Sequence, residues 1–167
     1  MLINLIEGAG RLAAVLAGVI LVAMVGFVLY EIVLRSFFAS STYVLDEFVG
    51  YGVAIMTFLS FSMALREGTF IRVNLVIANV PPGLRRMIEV LSCALGTAIF
   101  SFLAAYLLKI VVRNFERGVV SNSVAEIPLW VPQSLMLVGV MLLVAQFAAL
   151  TVQYVQGAPI SDSSEEL

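Results

Sequence analysis

Charged side chains divide this chain into long uncharged runs: residues 12–30, 48–65, 90–108 and 127–161 contain no Asp, Glu, Lys or Arg. The first three are each close to the ~20 apolar residues that carry an α-helix across ~30 Å of hydrocarbon. In the fourth, the apolar stretch covers about residues 131–155. A helix satisfies its own backbone hydrogen bonds, and an open-ended chain in lipid has no other way to do so. The sequence therefore predicts an all-α integral membrane fold with four transmembrane helices, over about residues 12–34, 48–65, 88–112 and 131–155. Composition agrees. At 62% hydrophobic and 12% charged over 167 residues, the chain has more apolar surface than a soluble domain of this size buries. Residues 1–160 read as one membrane domain and 161–167 as a disordered acidic tail.

The first run is too long and too poorly flanked by basic residues for a cleaved secretory signal, so it is expected to be retained. Between the second and third runs, residues 69–80 are too few to span; Arg72 and Asn79, seven apart, share one helical face. A short amphipathic segment lying in the interface between helices 2 and 3 is expected there. Arg72, Lys109 and Trp130 are the expected interface anchors. An even number of spans puts Arg11, Arg66, Arg72, Arg85 and Arg86 on one side and Arg35, Lys109, Arg113 and Arg117 on the other. That narrow excess favours cytoplasmic termini.

Several function classes are excluded. Nine basic and eleven acidic residues leave a net charge of -2, with no nucleic-acid footprint. There is no histidine and one cysteine, Cys93, so no Cys/His metal site or intrachain disulfide is available. The runs contain no convergent nucleophile, base or acid pair, which argues against an enzyme, and no cofactor is expected.

The ionisable residues closest to hydrocarbon are the informative ones, because charge is expensive there. Glu31 and Arg35 are four apart in the favourable acid-first order, and Asp46 and Glu47 open the second helix, where a helix N-terminus stabilises carboxylates. These four are candidates for a clamp across the first hairpin, with Arg35 reaching Asp46 or Glu47; the competing reading leaves all four solvated at the interface. Small residues recur at four-residue spacing at Gly10, Ala14 and Gly18, followed by Gly26, while Gly139, Gln146 and Gln153 recur every seven. Such stripes let helices approach closely, and an amide facing lipid is costly. Gly18, Gly26, Gly139, Gln146 and Gln153 are therefore candidates for packing against protein.

Three fragments, in order, resemble one family. Tyr30-Glu31-Ile32-Val33-Leu34-Arg35-Ser36-Phe37-Phe38 with Leu45-Asp46-Glu47-Phe48 is similar to the first hairpin of the small membrane subunit of tripartite ATP-independent periplasmic (TRAP) transporters. The Ala64-Leu65-Arg66, Gly68 and Ile71-Arg72-Val73 elements resemble its second-helix exit, and Ile127-Pro128-Leu129-Trp130-Val131-Pro132 its fourth-helix entrance. Val44 and Leu45 stand where the family often has Trp, and Phe70 and Asn74 where it often has His and Asp.

The resemblance implies a non-catalytic small permease subunit in the bacterial inner membrane, with both termini cytoplasmic. Its implied partners are membrane lipids, a large many-helix permease subunit and a periplasmic substrate-binding protein. The binding protein would deliver an organic anion to the large subunit for sodium-driven, elevator-like uptake. Gly18, Gly26, Gly139, Gln146 and Gln153 then become candidates for packing on the large subunit. Arg35, Asp46, Glu47, Arg113, Glu116 and Arg117 become candidates for docking the binding protein through steering charges. A stand-alone four-helix exporter and a membrane assembly factor are the alternatives.

Overall fold

The computed structural model describes residues 2–66 and 82–156. The expected interfacial segment at 69–80, with Arg72, and the acidic tail at 161–167 lie outside them. Among the described residues there are four helices: α1 (Leu2–Phe38), α2 (Leu45–Arg66), α3 (Pro82–Arg117) and α4 (Trp130–Val155). Each is long and apolar enough to cross a membrane. At 1.5 Å per residue α2 and α4 are about 33 and 39 Å long, close to one bilayer, whereas α1 and α3 reach about 55 Å and project beyond it.

The helices pack along seven-residue seams. On α1 the inward positions are Gly10, Ala13, Ala17, Ile20, Met24, Phe27 and Glu31, alternating three and four apart as in coiled coils. The opposite face, with Val15, Val22 and Leu29, is exposed. Helix α2 presents Ile55, Leu59 and Ser62 as buried residues and sits between α1 and α4. Helix α3 rests on the far side of α4 and makes no comparable contact with α1 or α2. In its 18-residue apolar stretch α3 is only 6% buried, against 28% for that of α2, so α2 is the centre and α3 the edge. The result is a layer in the spatial order α1, α2, α4, α3, with a lesser contact between α1 and α4, rather than a closed bundle.

Close backbone approach holds the layer together. A Cβ at Gly139 would stand 2.7 Å from the carbonyl carbon of Phe58 on α2, and one at Gly96 on α3 would stand 2.7 Å from the Phe147 ring of α4. A Cβ at Gly52 would overlap Met24 of α1. Glycine thus marks each of the three crossings, as expected where packing rather than the hydrophobic effect drives helix association in lipid. The α3–α4 pair is pinned further. Arg86 Nε donates to the Tyr154 carbonyl at 2.8 Å, Phe100 and Phe147 stack at 5.6 Å, and Asn114 Nδ2 donates to Gln133 Oε1 at 2.8 Å. The Tyr154 carbonyl is one of the orphan acceptors at the end of α4. Glu89, near the start of α3, is buried.

This arrangement corrects part of the expected partner surface. Gly139 and Gln146 are buried inside the chain, Gly139 against the backbone of Phe58 and Leu59 on α2. Gln153 is half-buried. Gly18 and Gly26 face open space, with nothing within 4 Å of an added Cβ.

Candidate functional site

The C-terminal ends of α1 and α3 and the N-terminal ends of α2 and α4 meet at one end of the layer, and two structured connections cap them. The first is organised by Glu31. The helical seam of α1 turns this residue inward, leaving it 1% exposed. The chain then reverses through left-handed backbone at Ala39 (φ 46°) and Tyr43 (φ 58°), which carries Ser41 and Thr42 back over the carboxylate. Thr42 donates its hydroxyl to Oε2 at 2.7 Å, and its backbone N–H approaches both oxygens at 3.2 and 3.3 Å. The Ser41 hydroxyl and Arg35 Nε, the latter at 2.8 Å, donate to Oε1. Arg35 Nη2 also donates to Ser41 Oγ at 3.2 Å. A carboxylate with this many donors is tolerated where an unpaired one is not.

Arg35 therefore engages Glu31, and among the described residues no ion pair joins it to Asp46 or Glu47. The expected clamp across the hairpin is replaced by one that runs from Glu31 to the turn itself. The reason is reach: Arg35 follows Glu31 by one helical turn, whereas α2 opens only after the turn has wrapped over Glu31. Asp46 is exposed in the first turn of α2.

Glu47 faces the second connection. The Tyr51 hydroxyl donates to Glu47 Oε1 at 2.8 Å, while Oε2 is buried with no hydrogen-bond partner. The carboxylate lines a cavity of about 550 Å³ with Tyr51, Ser121, Asn122, Ser123 and Leu129. The connection above it is ordered. Gly118 (φ 58°) closes α3, with its N–H on the Phe115 carbonyl at 3.2 Å and the Val119 N–H on the Asn114 carbonyl at 3.1 Å, the paired bonds of a Schellman motif. A single bridge then joins Val120 to Pro128, flanked by Ser121 N–H to Ile127 O at 2.9 Å and Leu129 N–H to Val119 O at 3.0 Å. The Ser121 and Ser123 hydroxyls lie 3.0 Å apart, and each accepts a backbone N–H from within the loop, from Ile127 and Ala125, both at 3.2 Å.

Of the expected docking charges, Arg113, Glu116 and Arg117 are exposed on the last turns of α3, and Arg35 retains 58% of its side-chain exposure. Glu47 is withdrawn beneath the loop. Of the expected anchors, Trp130 is half-buried edge-on against Phe115 at 5.4 Å and Lys109 is exposed. Ser41, Thr42, Tyr51, Ser121 and Ser123 complete the face, and charge spacing alone does not find them. For the serines and Thr42 the signal is weaker: short hydroxyl side chains clustered in turns, where they bond to backbone and to nearby carboxylates; Tyr51, on α2, is marked only by its four-residue spacing from Glu47. Among the described residues no group of three or more His, Cys, Asp or Glu is placed to hold a metal ion.

Comparison with known proteins adds one match. The family model for tripartite ATP-independent periplasmic transporters, DctQ component, covers residues 24–157. No curated protein and no solved structure matches the chain.

Proposed function

The chain belongs to the DctQ-component family of TRAP transporters, and from that premise we propose that it scaffolds the large permease subunit during sodium-driven uptake of an organic anion delivered by a periplasmic binding protein. It is a multi-pass membrane protein and a small permease subunit of a TRAP transporter. The observation that carries the scaffold reading is the layer itself. Its edge helix α3 exposes Ile99, Phe102 and Tyr106 along one side, and α1 exposes Val15, Val22 and Leu29. The cleft between α1, α2 and α4 is lined by Ile20, Met24, Phe27, Val131 and Leu135, which offers an anion nothing to bind. A layer of this kind broadens a partner, and the described cavities, lined by apolar side chains or by the Glu47 carboxylate, do not attract an anion.

In this reading the protein lies in the bacterial inner membrane with both termini cytoplasmic. The end capped by the two connections then faces the periplasm and presents Arg113, Glu116 and Arg117 to the loaded binding protein. The test is copurification followed by reconstitution. A tag on this chain is expected to retrieve a long, many-helix membrane protein. Proteoliposomes holding both are expected to take up substrate only with a sodium gradient and the binding protein. A chain that purifies as a self-sufficient oligomer, or uptake that is undiminished when the chain is omitted, overturns the proposal.

A further inference from the structure

Helices α1 and α4 straddle α2. Met136 of α4 packs against the core cluster of Ala13 and Ala17 on α1 with Ile55 and Leu59 on α2. The three helices line an apolar cleft of about 380 Å³ that includes Phe27 and Val131, within the ~300–1,000 Å³ of small-molecule sites. Its α2 wall runs from Phe48 to Ile55, two helical turns or about 10 Å. Tyr51 lines this cleft and also the polar cavity where its hydroxyl meets Glu47. Tyr51 is thus a wall common to both cavities, one apolar and the other polar. Glu47 Oε1 accepts from Tyr51, Oε2 has no partner at hydrogen-bond distance, and the Ser121 and Ser123 hydroxyls face the carboxylate from the loop as its nearest further donors. Among the described residues no cation pairs with it.

We propose that this paired cavity is a binding site for one membrane phospholipid with a primary-ammonium headgroup, its acyl chain in the apolar cleft and its ammonium at Glu47. Three physical requirements converge on that ligand. A cleft at hydrocarbon depth loses dispersion contacts if left empty, and acyl chains are the material at hand to fill it. A carboxylate at the membrane interface needs compensating donors and positive charge, and an ammonium brings three N–H groups with its charge. An anionic headgroup is repelled by Glu47, and a quaternary ammonium has no N–H to give. A lysine from a partner subunit carries the same charge but leaves the apolar cleft unfilled.

The transporter complex containing the full chain is extracted in mild detergent and challenged with phosphatidylethanolamine, phosphatidylcholine and phosphatidylglycerol of identical acyl chains. Retained lipid is then read by native mass spectrometry. The wild type is expected to keep one phosphatidylethanolamine that the other two do not displace. Glu47→Gln, which preserves shape, should weaken that preference about tenfold, the effect of losing one charge-assisted contact. Ala23→Trp, at an exposed cleft position, should abolish retention of any of the three lipids. Leu135→Phe from the facing helix repeats the test should the first variant not fold. Equal retention of the three lipids by the wild type, a preference that survives Glu47→Gln, retention that survives the filled cleft, or a partner lysine cross-linked to Glu47 each overturns the proposal.

Discussion

The Thr42 hydroxyl donates to Glu31 Oε2 at 2.7 Å, joining the turn before α2 to the buried end of α1. Glu31 is 1% exposed and accepts from Arg35, Ser41 and Thr42. Removing it orphans all of these donors at once. Glu31→Ala is expected to lower stability more than any single change among its donors, because the turn's hydroxyls and N–H lose their acceptor together. Arg35→Ala, whose side chain is 58% exposed, should cost no more than about 1 kcal/mol. Thermal unfolding in a single detergent measures both, and equal losses would show that the ion pair, not the turn, is what Glu31 holds.

A related outcome separates the observed clamp from the one that charge spacing suggests. Arg35 and Glu47 engage different connections, so Arg35→Glu combined with Glu47→Arg should recover none of the stability lost by either reversal. Additive losses are the mark of sites without shared partners. Recovery of expression or melting temperature in the double variant would place the two residues in contact.

How far the chain could be read in advance follows from which forces decide each feature. The four spans were legible because desolvating charge in hydrocarbon is so costly that Arg11, Glu31, Glu47, Arg66, Glu89 and Lys109 had to lie near span ends. Their order in space was not legible. It depends on which glycines meet a neighbouring backbone, and Gly18, in open space, looks the same in sequence as Gly139, wedged against Phe58. The Glu31–Arg35 pair needed only helical spacing. The turn around Glu31 and the loop over Glu47 needed more, because left-handed backbone at Ala39, Tyr43 and Glu126 falls on residues with no special preference for it.

The same contrast yields a prediction. A methyl group at Gly139 would press on the Phe58 carbonyl carbon at 2.7 Å and the Leu59 nitrogen at 2.9 Å, and neither backbone atom can move aside as a side-chain tip can. Gly139→Ala should cost about 1–3 kcal/mol, the usual penalty of overpacking. Gly18→Ala and Gly26→Ala, inside α1 with no neighbour within 4 Å, should leave the isolated chain as stable or slightly more so, because alanine loses less backbone entropy in a helix. If either also weakens copurification with the large subunit, that face of α1 is the contact.

Ser62 is almost fully buried on α2 and its hydroxyl has no hydrogen-bond partner. A Cβ at Gly10 of α1 would lie 3.3 Å from that oxygen, so the space there suits a small side chain of either polarity. An unsatisfied buried hydroxyl carries a desolvation penalty of about 1–3 kcal/mol. Ser62→Ala is therefore expected to raise the melting temperature, whereas Ser62→Leu should lower it by forcing α1 from α2. A loss of stability in Ser62→Ala would reveal a partner for the hydroxyl.

Arg113, Glu116 and Arg117 stand exposed on the last turns of α3, close to the ordered loop that ends at α4. Charges placed this way act on encounter rather than on the bound state, because they remain solvated and attract a partner over distance. At 0.1 M salt that attraction extends only ~10 Å, and at 0.01 M about 30 Å. Reversing Arg113 and Arg117 together should therefore slow binding-protein-dependent uptake most at low ionic strength, with wild type and variant converging as salt rises. A deficit that persists unchanged at high salt would mean that the two arginines make a desolvated contact, and an undiminished rate at every salt concentration would remove α3 from the docking face.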